Sequence, residues 1–148
     1  MKLGISMPSS SLAIITVIIM FKQYKLNKQN IRYQLFSHRH SIYVSTMSFL
    51  AKIIKDDNVS NRTIQIFLNQ TRDSDIFFDD EIIDYLSILY KKAKILNHHN
   101  KFIESSKTSQ DKRKKYLDEC FEITTWFGDQ FKVCNDKFKK YNDFSSLT

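Results

Sequence analysis

No glycine or proline occurs between Pro8 and Gly128, and the whole chain has only two glycines and one proline. Sheets depend on turns that favour those residues. A run this long without them points to an all-α fold, with helices joined by Asn, Asp and Ser loops. The same scarcity excludes a Gly-rich phosphate loop and a GxSxG nucleophile elbow. The two cysteines, Cys120 and Cys134, are too few and too far apart for a disulfide framework or a CxxC redox motif. Both are expected to be reduced thiols.

Metal chemistry is equally short of material. His38 and His40 are two residues apart, and His98 and His99 are adjacent. Neither pair has the i, i+3 or i, i+4 spacing that places two ligands on one helical face. The acidic stretch Asp73, Asp75, Asp79, Asp80, Glu81 and Asp84 lacks EF-hand spacing and a central glycine. No metal site, cofactor, catalytic residue or small-molecule substrate is expected, and the chain does not read as an enzyme. An enzyme reading would need the fold to gather His40, His98 or His99 with carboxylates in one cleft.

The 148 residues and net charge of +7 suit one domain plus an anchor. A positive balance invites a nucleic-acid reading. The joint abundance of Lys, Asn and Ile, and the scatter of basic among acidic residues, argue against it. Trp126, Phe127 and Phe131 could stack bases, but at helical spacing they read as core. A nucleic-acid partner is not expected.

The N-terminal segment carries the strongest pattern. No residue from Leu3 to Phe21 is charged, and 19 residues of helix would rise about 28 Å, close to the ~30 Å of a bilayer core. In Leu12–Phe21, seven residues are Leu, Ile, Val or Phe, together worth roughly −2 to −4 kcal/mol of insertion. Phe21-Lys22-Gln23-Tyr24-Lys25 follows, without the small-residue site of a cleaved signal. Apart from Lys2, the cations come after Phe21, unlike those of an interfacial helix. A buried helix is the remaining alternative. The expectation is an N-terminal transmembrane helix at 1-22, a basic juxtamembrane segment at 23-30 and a helical bundle at 31-148. Lys22, Lys25, Lys28 and Arg32 would then fix a cytoplasmic C-terminal side by the positive-inside rule and attract anionic lipid headgroups. Tyr24 would sit at the interface. The implied location is a bacterial inner membrane, crossed once.

Beyond the anchor, helical stripes are legible at spacings of three and four. Phe36, His40, Tyr43, Met47, Leu50 and Ile54, flanked by Leu35, Ile42, Phe49 and Ile53, mark a long helix that could run on from the anchor. Asp57, Asn58 or Ser60 can cap a short helix bearing Ile64, Phe67, Leu68 and Thr71. A loop follows at Arg72–Asp75. Asp79 and Asp80 then open a helix that buries Ile82, Leu86, Leu89, Ala93, Leu96 and Ile103. The last helix begins near Asp111, with Leu117, Cys120, Thr124, Phe127, Phe131, Cys134, Phe138 and Tyr141 on an a/d seam. Short connections favour antiparallel neighbours. The expected architecture is an antiparallel bundle of three long helices and one short one. Arg39 lies at the edge of its stripe: it either pairs with Asp73 or Asp75 or lays its stem on the core with its head in water.

In order along the chain, these residues resemble a set of uncharacterised small bacterial single-pass membrane proteins. The resemblance rests on Leu35-Phe36, Arg39 and Tyr43, then Thr71-Arg72-Asp73 leading to Phe78 and Glu81. It continues with Tyr85-Leu86, and with Trp126-Phe127, Gln130-Phe131 and Lys137-Phe138. It covers nearly the whole chain. Those proteins usually have a proline before the last aromatic, where this chain has Lys140 before Tyr141. The resemblance implies an N-terminal anchor and a cytosolic helical domain, and no established activity.

The expected function is a membrane-tethered interaction or scaffold protein with a protein partner or self-association. The alternative is a membrane effector of a toxin or phage-defence system acting through the anchor, which rests on analogy alone.

Overall fold

The computed structural model describes residues 9–105 and 108–143, with side chains from residue 12 onward. Among them there are five helices and no strand: α1 (Ser9–Asp56), α2 (Asn61–Gln70), α3 (Ser74–Phe77), α4 (Asp80–Glu104) and α5 (Gln110–Asn142). The chain divides into two units, Met1–Leu35 and Phe36–Thr148.

The anchor expectation is corrected here. No helix of the described residues is long and apolar enough to cross a membrane. The apolar run that remains, Leu12–Phe21, rises only about 15 Å as helix, half of a bilayer core. Within α1 it is flanked by Ser9–Ser11 on one side and by Lys22, Gln23 and Lys25 on the other. Leu3–Pro8, which completed the 19-residue count, lie outside the described residues. The expected transmembrane helix, single-pass topology and inner-membrane location are therefore contradicted, and the topological role of Lys22, Lys25, Lys28 and Arg32 loses its basis.

Phe36–Thr148 holds the core. The last five turns of α1 bury Ile42, Thr46, Phe49, Leu50 and Ile53. Thr46 is the residue the stripe missed. Its hydroxyl donates to the Ile42 carbonyl at 2.8 Å, so a polar group enters the core already satisfied. Asp57 ends the helix with φ 46°, the left-handed conformation that short polar side chains tolerate. Ser60 then caps α2 by accepting from the Thr63 amide at 3.1 Å.

α2 lays Phe67 flat on Phe49, with ring centroids 4.1 Å apart and planes within 8°. Phe127 of α5 meets Phe49 edge-on at 6.4 Å. Where a loop was expected, Ser74–Phe77 form the single turn α3. α4 buries Ile82, Tyr85, Leu86, Leu89, Ala93 and Leu96, and α5 answers with Cys120, Phe127, Gln130, Cys134 and Phe138. Leu117 is half-exposed, so the core face of α5 starts one turn later than its seam. Fully burying a large apolar side chain is worth about 1.5–3 kcal/mol, so these aromatic and aliphatic side chains together form the stabilising core.

Candidate association surface on α1

Within Met1–Leu35, the described side chains of α1 leave their apolar groups in solvent. Leu12, Ile14, Ile15, Val17, Ile18, Ile19, Met20 and Phe21 are each about half or more exposed, as are Tyr24, Leu26, Ile31 and Tyr33. Isolated helices gain little stability from propensity, and most of it comes from packing an apolar face. Exposed apolar patches of this extent are the kind that mark association sites in folded proteins.

Apolar side chains lie on more than one side of the segment: Leu12, Ile15, Ile19, Lys22, Leu26, Gln29 and Tyr33 follow alternating steps of three and four with polar side chains at two positions, and Ile14, Val17, Phe21, Tyr24, Lys28 and Ile31 do so with one. Phe21, Lys25, Lys28 and Arg32 form a further row, and with Tyr24 and Gln29 they line a shallow groove of about 320 Å³. Lys22, Lys25, Lys28 and Arg32 follow steps of three, three and four and so lie along one side of the helix, Lys22 also taking a place in the apolar row.

The charge is also less scattered than composition implied. All 16 acidic residues lie at Asp56 or beyond, whereas Lys2, Lys22, Lys25, Lys28, Arg32, Arg39, Lys52 and Lys55 precede it. Downstream, Lys and Arg nearly balance the acids. The excess positive charge of the chain therefore belongs to its first 55 residues.

The other singled-out residues sit in the Phe36–Thr148 unit. Arg39 donates from Nε to the Phe77 carbonyl at 2.9 Å and lies over the Tyr141 ring at 5.0 Å. Asp73 is the N-cap residue of α3, its side chain making no capping bond, and Arg39 reaches the same connection two residues past Asp75. Asp79 and Glu81 at the start of α4 meet Lys140 and Lys137 of α5: Lys140 Nζ lies 2.9 Å from Asp79, and Lys137 Nζ 2.7 Å from Glu81. The hydrogen bond from Lys140, reinforced by the Tyr141 hydroxyl, holds the Asp79 carboxyl down at about 2. These groups satisfy one another at an exposed seam and clamp two helices.

His38 stacks on Phe77 at 4.9 Å, and His40 lies between Phe36 and Tyr43. His98 and His99 pack among Phe102 and Tyr116. His99 Nδ1 is 3.3 Å from Glu119, near enough for attraction but outside hydrogen-bond geometry. Among the described residues, no three of His, Cys, Asp and Glu come together as a metal site.

Cys120 and Cys134 are buried free thiols, and burial pushes Cys134 up to about 12. An asparagine network was missed from the sequence. Asn100 donates to Asn58 Oδ1 at 2.6 Å, Asn97 donates to the Val59 carbonyl at 2.6 Å, and the Cys120 thiol donates to Asn100. The available signal was two asparagines one turn apart beside the apolar stripe of α4.

No protein-family model, curated protein or solved structure matches this chain.

Proposed function

We propose that this chain is a helical interaction protein. Residues 36–148 are its scaffold, and residues 12–33 of α1 are the surface on which an apolar helix docks. One observation carries the reading: the exposure of twelve large apolar side chains between Leu12 and Tyr33, on a helix whose polar positions supply only positive charge. Patches of that size mark association sites in folded proteins. Rows of apolar side chains at alternating steps of three and four support a helix as the occupant, because such knobs fit the holes of another helix. The toxin or defence effector rested on a spanning anchor and is not carried further.

The test is site-specific photocrosslinking in cells from a probe replacing Val17, which lies within the segment. A discrete protein adduct is expected, lost when Ile15, Ile19 and Leu26 are all changed to Ser. Absence of any protein adduct, or an adduct indifferent to the triple change, would contradict the reading.

A further inference from the structure

We infer that the helix docking on residues 12–33 carries acidic side chains beside its apolar stripe, so that this surface takes an acidic amphipathic helix of a partner protein. The inference rests on the docking reading above and adds the partner's charge. It comes from where the cations stand relative to the two apolar rows.

Both rows lead to the same flank. With Leu12 at position a, the row ending at Tyr33 places Lys25 and Arg32 at g. With Ile14 at position a, the row ending at Ile31 places the same two residues at e. Lys25 and Arg32 thus lie between the rows, and Lys22 and Lys28 stand to either side of them. Whichever row is covered, its partner meets Lys25 and Arg32 at the edge of the contact, where charges of opposite sign set the choice of partner. On the opposite side of the helix the rows are separated by Gln23, Asn27 and Asn30. From Lys22 onward the apolar surface is therefore two narrow strips. Such strips suit the seam of another helix, whereas a lipid surface takes one broad apolar face.

The cations also lack compensation within the chain's own sequence. Lys22, Lys25, Lys28 and Arg32 are helical neighbours of like charge, which weakens a helix, and no acidic residue precedes Asp56. Further along α1, Lys52 has Asp56 one turn on at 2.6 Å. Lys137 and Lys140 of α5 meet Glu81 and Asp79 of α4. Acidic side chains on the docking helix would supply to residues 22–32 what those lysines already have. A second α1 segment, equally positive, would add to the repulsion instead. Leu12–Phe21 holds no charge, so the acids belong on the part of the partner that covers Lys22–Arg32.

The full-length chain tests this with three fluorescent peptides of about three heptads, long enough to form helix on binding. Each has Leu at a and d and Ala at the outer positions. Positions e and g are Glu in the first, Gln in the second and Lys in the third. Anisotropy at trace peptide and low salt should show the Glu peptide bound at least about threefold more tightly than the Gln peptide, the scale of two exposed ion pairs. The Lys peptide should bind more weakly than both, and added salt should shrink the differences. Lys25→Gln with Arg32→Gln should remove the preference for Glu. Lys112→Gln with Lys114→Gln, an equal change of charge on exposed side chains of α5, should keep it.

Equal binding of the Glu and Gln peptides overturns the inference and leaves the docking reading standing. So does a preference for Glu that survives the loss of Lys25 and Arg32. If no peptide binds, the inference falls, and the cellular adduct from Val17 decides the docking reading separately. Failure of all three peptides together with sedimentation of the chain on vesicles of phosphatidylcholine and phosphatidylserine would make a lipid surface the occupant and overturn both.

Discussion

The guanidinium of Arg39 gives its Nε hydrogen to the Phe77 carbonyl at 2.9 Å and places its Cζ over the Tyr141 ring, 5.0 Å from the centroid. One side chain on α1 thereby ties the α3–α4 connection to the end of α5. His38 stacks on Phe77 from the same helix, and Phe78 packs edge-on against Tyr141 and Phe138. Replacing Arg39 by Met keeps the stem and removes the donor. It is expected to cost about 1–3 kcal/mol, the range for losing a charged hydrogen bond to a half-buried carbonyl. Arg39→Lys should recover only part, because an ammonium cannot donate and stack in the same plane. Urea unfolding of the three proteins checks this, with the midpoint ordered Arg, Lys, Met.

Gly128 is expected to be replaceable with a gain. It lies within α5 at an ordinary helical φ, and an added Cβ would meet only Ile54 Cδ1 at 3.9 Å, an unstrained contact. Glycine in a helix interior costs about 0.5–1 kcal/mol relative to alanine. Gly128→Ala should therefore raise the thermal midpoint by a few degrees, roughly as that energy implies for a domain of this size.

Acid stability should carry the signature of Asp79. Its carboxyl is held down at about 2 by the Lys140 hydrogen bond and then by Tyr141, against about 3.9 in an unfolded chain. A depressed carboxylate contributes stability that is present above the unfolded pKa and is lost as pH falls through the folded one. The contribution should fade between about pH 4 and about pH 2. Asp79→Asn should flatten the pH dependence of the unfolding midpoint in that window and leave its shape above pH 5 unchanged. Because the pair is exposed, added salt should shrink the difference.

The two thiols should resist modification. Burial pushes Cys134 up to about 12 and raises Cys120, where Glu119 adds to the effect. Only thiolate reacts, so alkylation at pH 8 should be far slower in the folded protein than in guanidinium, with Cys134 slower than Cys120. Rapid labelling of Cys134 in the folded chain would mean that α5 opens locally.

The helices themselves were legible because they follow from repetition: Ile82, Leu86, Leu89, Ala93 and Leu96 recur with the helical period and all become buried. Polar residues that enter the core were not. Thr46 and Gln130 sit where hydropathy alone argues against burial, and each is admitted by one local bond to a carbonyl four residues back. Arg39 was found as a residue needing a partner, but the partner is a backbone carbonyl, which no side-chain pattern can announce. The N-terminal segment was misread for a related reason. Leu12–Phe21 has the composition of a membrane helix and about half its length. The seam and the charge partition only stand out once those residues are known to continue into a helix that ends at Asp56.

The central claim, that residues 12–33 of α1 are a docking surface for another helix, is tested most directly by amide hydrogen exchange of the full-length chain, alone and with the protein that photocrosslinking from Val17 captures. Protection in that segment should rise on binding, while Phe67, Leu89 and Phe127 in the bundle exchange unchanged. Exchange in residues 12–33 that stays equally fast in the complex would contradict it.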